Sequence, residues 1–330
     1  MSLISVIIPV YNGENTIKET IVSVLNQTLT QIELIVINDG STDSTLEIVS
    51  NITDSRLKIV SFPNAGLSAS RNRGIKLASG EFISFIDADD LWTPDKLESQ
   101  FNALIQNPNA GVAYSWTNWI NESGKIIYGG GCHQFSGNVY THLFLGDFIE
   151  GGSNVLIRRS ALDEIGGFNE TIQYSEDWEM WLRLATKYEF IVVPKPQILY
   201  RVLSQSMSSN VLGMETASLA IIQQAIAQSP QPIHHLKSQS LANRYKYLIC
   251  KTLDSYPMRK NGFIAIRFLW NILYNDPKII KTRVFWKILL KIFVVTILPP
   301  QQSKYLFEKV SKAFDIQALL MQIKLTPGLP

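Results

Sequence analysis

The sequence predicts an α/β protein: a mostly parallel sheet flanked by helices, followed by a C-terminal helical region. Two observations predict the sheet. Short apolar runs at Leu3 to Val10, Ile32 to Ile37, Leu57 to Val60 and Phe82 to Ile86 have the length of buried strands. Stretches with 3.6-residue apolar spacing alternate with them, and that order demands parallel pairing with helices on the sheet's faces. A third observation divides the chain. Residues 1–210 carry 14 Lys and Arg against 23 Asp and Glu, a net −9, whereas 211–330 carry 16 against 5, a net +11. We therefore read 1–210 as the α/β domain and 211–330 as a basic helical region with a different task.

The elements follow in order. Leu3 to Val10 has no basic residue before it and contains Pro9, so it reads as a strand and neither as a signal peptide nor as a membrane span. Glu14 to Asn26 then sets Ile17, Ile21, Val24 and Leu25 on one helical face. Helices at Thr42 to Ser50 and Leu67 to Ala78 separate the remaining strands, and Thr93-Pro94 opens a further helix with proline at its first position. Beyond it the pattern is mixed up to Tyr200. From about Gly213 strand signals vanish and basic amphipathic helices take over.

Composition narrows the function classes. With 46% hydrophobic and 18% charged residues the chain is globular, which excludes collagen-like, coiled-coil and disordered architectures. Cys132 and Cys250 form no CxxC pair and the four histidines no HExxH, which argues against a disulfide scaffold or a zinc site. GxxxxGK[ST] and GxGxxG are both absent, so ATPase and NAD readings lose their fingerprints. Nothing points to nucleic acid.

Ligands of parallel sheets sit beyond the carboxyl ends of the strands, and all four runs end in polar turns. Asp87-Ala88-Asp89-Asp90 is the sharpest of these. It is open to two readings: a seat for a hard cation such as Mn²⁺ or Mg²⁺, or an acidic helix start. Asn38-Asp39-Gly40-Ser41-Thr42-Asp43 reads either as an ordinary loop-to-helix junction or as a contact for a base or ribose. Arg71 and Arg73 leave the first turns of a helix, against its dipole, and invite an anion unless they are surface residues. Glu176 and Asp177 begin another helix, as dipole partners or with one as a general base. Arg201, followed by a hydroxyl-rich stretch to Ser208, suits either a phosphate-covering loop or a solvated connector.

Taken in this order, Pro9-Val10-Tyr11-Asn12, Asn38 to Asp43, Asn64 to Gly74, Asp87 to Asp90, Gly166-Gly167-Phe168 and Glu176-Asp177 resemble the motifs of glycosyltransferase family 2. The resemblance spans about residues 3–210. It implies the GT-A, Rossmann-like fold and inverting transfer from a nucleotide-sugar, with a UDP-sugar as the default donor. It further implies that Tyr11 and Asp39 contact the nucleobase in a pocket shaped by Pro9, and that Arg71 lies close to base and diphosphate. By the same likeness Asp87 lies near ribose or metal, Asp89 is the principal ligand of Mn²⁺ or Mg²⁺, Asp177 is the catalytic base and Arg201 approaches the leaving diphosphate. Many members carry a histidine a few residues after the Tyr-Arg pair; here Val202, Leu203 and Ser204 follow.

The implied reaction is displacement at the anomeric carbon by an acceptor hydroxyl, with a carbohydrate or a lipid-linked molecule of the cell envelope as acceptor. The rival enzyme, a nucleotidyltransferase making nucleotide-sugars, wants a basic first loop, and Tyr11-Asn12-Gly13-Glu14 has no Lys or Arg. A silent carbohydrate-binding module is the other alternative, and the joint presence of Asp39, Asp87, Asp89 and Asp177 speaks against it. Trp116, Trp119, Trp178 and Trp181 either stack on sugar or fill the core. The expected site of action is the cytoplasm, with peripheral attachment to the inner face of the membrane as an option. That option rests on Arg283, Lys287 and Lys291, which line one face of an apolar helix. Val284 to Leu298, 15 residues, is about 22 Å long and too short to span a bilayer. Such a helix either lies in the membrane interface or packs as core with its lysines solvated.

Overall fold

The computed structural model describes residues 3–203 and 210–327. Strand and helix alternate at first: β1 (Ile4–Val10), α1 (Ile17–Leu25), β2 (Ile32–Asn38), α2 (Thr45–Ser50), β3 (Leu57–Ser61), α3 (Leu67–Leu77) and β4 (Phe82–Phe85). A short β5 (Leu91–Trp92) leads to α4 (Lys96–Gln106), the long β6 (Ala110–Ile120) and its hairpin partner β7 (Ile126–Gly129). Then come α5 (Tyr140–Leu145), β8 (Leu156–Arg158), α6 (Arg159–Ile165), α7 (Glu176–Ala185) and β9 (Glu189–Arg201).

The strands form one sheet in the order β3-β2-β1-β4-β8-β6-β9-β5, with β7 added beside β6. The first four pair in parallel, Ile7 lying between Ile35 and Phe85. β8 runs antiparallel between β4 and β6, β5 antiparallel to β9, and β6 parallel to β9. The sheet is thus parallel where the sequence alternates strand with helix and mixed beyond. β1, β2 and β4 are buried along their whole length, covered by residues such as Ile17, Ile21 and Val24 of α1. Each such side chain removed from water contributes about 1.5–3 kcal/mol.

Pro9 sits inside β1 and is buried. Its missing N–H is tolerated because it would point toward β4. That strand's register ends at Phe85 opposite Ile7, where the N–H of Ile86 donates to the Ile7 carbonyl. α4 begins at Lys96, not at Pro94, because the Thr93 hydroxyl donates to Asp95 at 2.9 Å and closes a turn first.

The chain divides into two compact units, 3–140 with 147–203 and 141–146 with 210–327. The second holds α8 (Val211–Gln228), α9 (Lys237–Asp254), α10 (Arg259–Asn275), α11 (Arg283–Ile297), α12 (Pro300–Lys309) and α13 (Ser311–Phe314). One expectation is overturned here. Lys291 is not solvated but buried against Asp254 at 2.9 Å, and the half-buried Lys287 donates to the Lys312 carbonyl at 2.8 Å. Their ammonium groups reach acceptors at neighbouring helix ends, and an apolar flank of α11 is left outside.

Candidate active site

The site begins with a buried cation. Ser68, Ala69, Ser70 and Gly74 turn toward the sheet, and a β-carbon at Gly74 would collide with Ile7. This close approach carries Arg71 fully inside. Its Nη2 donates to Asp87 Oδ1 at 2.7 Å and its Nη1 to Glu176 Oε1 at 2.9 Å, and the guanidinium lies 5.0 Å from the centre of the Phe168 ring. Burial works against its charge, but Asp87, Glu176 and Asp177 outweigh that and hold its pKa above the usual arginine value. Gly152 packs so tightly on the guanidinium that any β-carbon there would strike it. Arg71 is therefore neither a surface residue nor a free anion-binding cation; it joins the end of β4 to the start of α7.

The Asp87–Asp90 turn divides its work. Asp90 is buried: Oδ2 accepts from the Ser153 hydroxyl at 2.5 Å, Oδ1 from the Arg201 N–H at 2.9 Å, and its carbonyl from Thr20 at 2.9 Å. It fixes the turn. Burial pushes its pKa well up, with Asp89 and Asp87 adding to the effect. Asp89 is half-buried, and burial together with the Asp87 charge pushes its carboxyl up to about 6, against the pull of Arg201. Asp87 and Asp89 thus offer hard oxygen donors crowded by like charge, a set that a divalent cation would relieve. Among the described residues no three His, Cys, Asp or Glu side chains make a complete cage. Two carboxylates are what Mg²⁺ or Mn²⁺ needs when phosphate oxygens and water fill the other positions.

Asp177 stands in the first turn of α7 beside Glu176 and Glu179, where the helix dipole favours acids. Its Oδ1 accepts from the Trp178 N–H at 2.7 Å. Burial raises its pKa, Arg71 opposes this and Asp87 reinforces it. Glu176 is pushed up to about 7 by burial and Asp177.

Two further carboxyls escape the sequence reading. Burial, Asp177 and Glu150 push Asp147 up to about 8, and burial pushes Glu150 up to about 7. Glu150 has a left-handed φ of 64° and accepts from the Gly131 N–H at 2.9 Å. The pair of glycines that follows Glu150 was the one available signal. Because the folded state holds the Asp147 proton and the unfolded chain releases it near pH 4, this group costs stability increasingly as pH rises from about 4 to 8. Asp147→Asn keeps the acceptor for the Ile149 N–H. It should raise the melting temperature by roughly 5 °C at pH 8, on the order of 2 kcal/mol, and by nothing near pH 4, as read by calorimetry. A pH-independent difference would contradict the assignment.

The other predicted residues lie as follows. Asp39 is buried at the end of β2, where its carboxylate accepts from the N–H groups of Ala65 (3.0 Å) and Gly66 (2.8 Å) and pairs with Arg73 at 2.8 Å. It anchors the loop that opens α3. Tyr11 is exposed just beyond β1. Arg201, expected near the diphosphate, has its guanidinium engaged within the protein. Nε donates to the Asp89 carbonyl at 2.8 Å, Nη1 to the Glu122 carbonyl at 2.6 Å and Nη2 to Glu19 at 2.7 Å. It shapes the Asp89–Asp90 turn. The hydroxyl-rich stretch 204–208 lies outside the described residues. Trp178 and Trp181 are core. Trp119 is half-buried, stacked on Tyr128 at 5.5 Å and tilted against Tyr200 at 4.5 Å.

A family model described as glycosyltransferase like family 2 matches residues 5–252. Chondroitin synthase of Pasteurella multocida is 28% identical over 259 residues, 76% of this chain and 26% of that protein. The Escherichia coli UDP-Glc:alpha-D-GlcNAc-diphosphoundecaprenol beta-1,3-glucosyltransferase WfgD is 33% identical over 211 residues, 63% of this chain and 80% of its own. The chain spans less than half the length of several of the curated relatives it matches. In fold it is similar to the mannosyltransferase PcManGT of Pyrobaculum calidifontis, solved with GDP-Man and Mn²⁺. The TM-score is 0.57 at 17% identity, over 96% of this chain and 84% of that one.

Proposed function

The chain belongs to the family 2-like glycosyltransferases, and on that premise we propose that region 1–210 is its catalytic domain. In this reading it moves a glycosyl group from a nucleotide-sugar, a UDP-sugar by default, to an acceptor hydroxyl and inverts the anomeric carbon. The observation that carries the reading is the Asp87–Arg71–Glu176 chain. It ties a carboxylate turn suited to a cation and a diphosphate to the helix start that bears a desolvated carboxyl, Asp177.

Asp177 takes the proton of the acceptor hydroxyl as that oxygen attacks the anomeric carbon. The bond to the diphosphate breaks on the opposite face, and the nucleoside diphosphate leaves with the electron pair. The raised pKa makes Asp177 a stronger base than an exposed aspartate, yet it must be ionised to act. Turnover should therefore fall as pH drops, with a midpoint above the ordinary aspartate range. Tyr11 and the loop anchored by Asp39 would meet the nucleobase, and Pro9 would shape the strand end beneath it. Asp87 and Asp89 would hold Mn²⁺ or Mg²⁺, which when bound neutralises charge building on the departing diphosphate. The acceptor, by analogy with the E. coli relative, is a carbohydrate or lipid-linked sugar of envelope polysaccharide synthesis. Trp119, Tyr128 and Tyr200 offer it ring faces. Nucleotide-sugar consumption at such an acceptor suits the cytoplasmic face of a membrane.

Metal binding has its own signature. A cation competes with protons for Asp89, so added Mn²⁺ should raise the melting temperature little at pH 5 and by several degrees at pH 8. An equal shift at both pH values would remove Asp89 from the ligand set. The reaction itself is tested by nucleoside diphosphate release from a panel of UDP- and GDP-sugars with lipid-linked and free saccharide acceptors, the product anomer being read by proton NMR. Inversion supports the proposal; retention, or no release from any donor, rejects it.

A further inference from the structure

We propose that the α10–α11 hairpin is a docking surface for an anionic lipid bilayer. α10 leaves Phe263, Ile266, Trp270 and Tyr274 exposed, and α11 leaves Trp286, Leu290, Phe293 and Ile297 exposed. Steps of three and four residues make each set one stripe along its helix. The exposure is not marginal: Tyr274 is 82%, Trp270 71% and Trp286 63% accessible. Apolar surface of this extent on a water-soluble fold marks an interaction site.

The two helices pack together and run antiparallel, since Arg259 Nη2 donates to the Ile297 carbonyl at 3.3 Å and Gly262 abuts Thr296. Trp270, Tyr274 and Trp286 therefore gather toward the turn between the helices, where Lys278, Lys281 and Arg283 are exposed. From Arg259 to Ile297 the chain carries eight Lys and Arg and a single acid, Asp276, whose carboxylate is paired with Lys246 at 2.8 Å. Arg267 and Lys291 are paired with Glu215 and Asp254, but tryptophan and tyrosine beside the exposed Lys278, Lys281 and Arg283 suit the headgroup region, where amphipathic rings settle and cations meet anionic lipid. A second copy is the poorer occupant, because apposing two such faces would bring their cations together. No helix among the described residues is long and apolar enough to cross a membrane, so the hairpin lies in the interface plane.

This inference deepens the reading above by giving the transferase a lipid surface as partner, and its test measures binding alone, so the two can fail separately. The full chain is sedimented with phosphatidylcholine vesicles with and without phosphatidylglycerol, at low and high salt. Binding is expected only with phosphatidylglycerol, and it should fall as salt rises. Trp270→Ser with Trp286→Ser should weaken it about tenfold or more. Lys281→Glu with Arg283→Glu should weaken it by roughly fivefold per charge removed, more with reversal. All four sites are exposed, and an unchanged melting temperature verifies the fold. Wild-type protein that stays in the supernatant at low salt overturns the proposal, as does undiminished binding of the tryptophan variant. A lipid-free dimer that the tryptophan variant cannot form, without vesicle capture, would assign the face to a second copy instead.

Discussion

Asp177→Asn is expected to lower turnover by about 10²-fold or more while donor affinity stays within a small factor of wild type. The magnitude is that of losing a general base in the transition state. Asparagine keeps the volume and the acceptor for the Trp178 N–H, so the start of α7 should persist. It also removes a carboxyl that burial and Asp87 already push toward protonation, so the variant should be at least as stable as wild type at neutral pH. Calorimetric donor titration and transfer rates measured side by side separate the two effects. Near-normal transfer would move the base to another carboxyl, such as Glu176 or Asp147, whose pKa values the Asp177 charge raises.

Arg71→Met should have the largest effect on folding. Removing one partner from a buried ionic group leaves uncompensated charge, a loss of about 3–5 kcal/mol, or roughly 10 °C for a unit of about 200 residues. Here Asp87 and Glu176 lose their shared cation and Phe168 its guanidinium contact. The sign with pH follows from the carboxyls. Without Arg71 the pKa values of Glu176 and Asp177 rise further, the folded state holds protons that the unfolded chain has released, and the deficit grows between about pH 5 and 8. Arg71→Met with Glu176→Gln should recover part of the loss. A variant that melts with wild type at pH 8 would mean that the pair with Asp87 and Glu176 contributes nothing to stability.

The half of the fold that alternates strand and helix was legible because each run is a local pattern long enough to recognise. β5 and β8 were not, since two or three residues carry no periodicity and their pairing comes from strands distant in sequence, and β7, although it pairs with the adjacent β6, is exposed throughout and so has no buried apolar run. The site was legible to the same extent. Asp87 to Asp90 and Glu176-Asp177 announce themselves as clustered acids. Ser153, Glu150 and Asp147 do not, because the fold brings them to Asp90 and Asp177 from other parts of the chain. Arg71 illustrates the limit best. Its position predicted a cation offered to an anion, whereas the small residues around it let the helix sink until the guanidinium met Glu176 from 105 positions away. In α11 the spacing of the lysines was read correctly, but which flank faces outward depends on Asp254 and the end of α13, and no local pattern reports those.

The proposed cation-dependent seat of a nucleotide-sugar is the pair Asp87 and Asp89. It is tested most directly by calorimetric titration of UDP, GDP and their sugars into wild type and Asp89→Ala, with and without Mn²⁺. One nucleotide series should bind the wild type in Mn²⁺ and much more weakly without it, and Asp89→Ala should lose the Mn²⁺-dependent part while melting normally. Binding that ignores Mn²⁺ and is unchanged in Asp89→Ala would contradict the account.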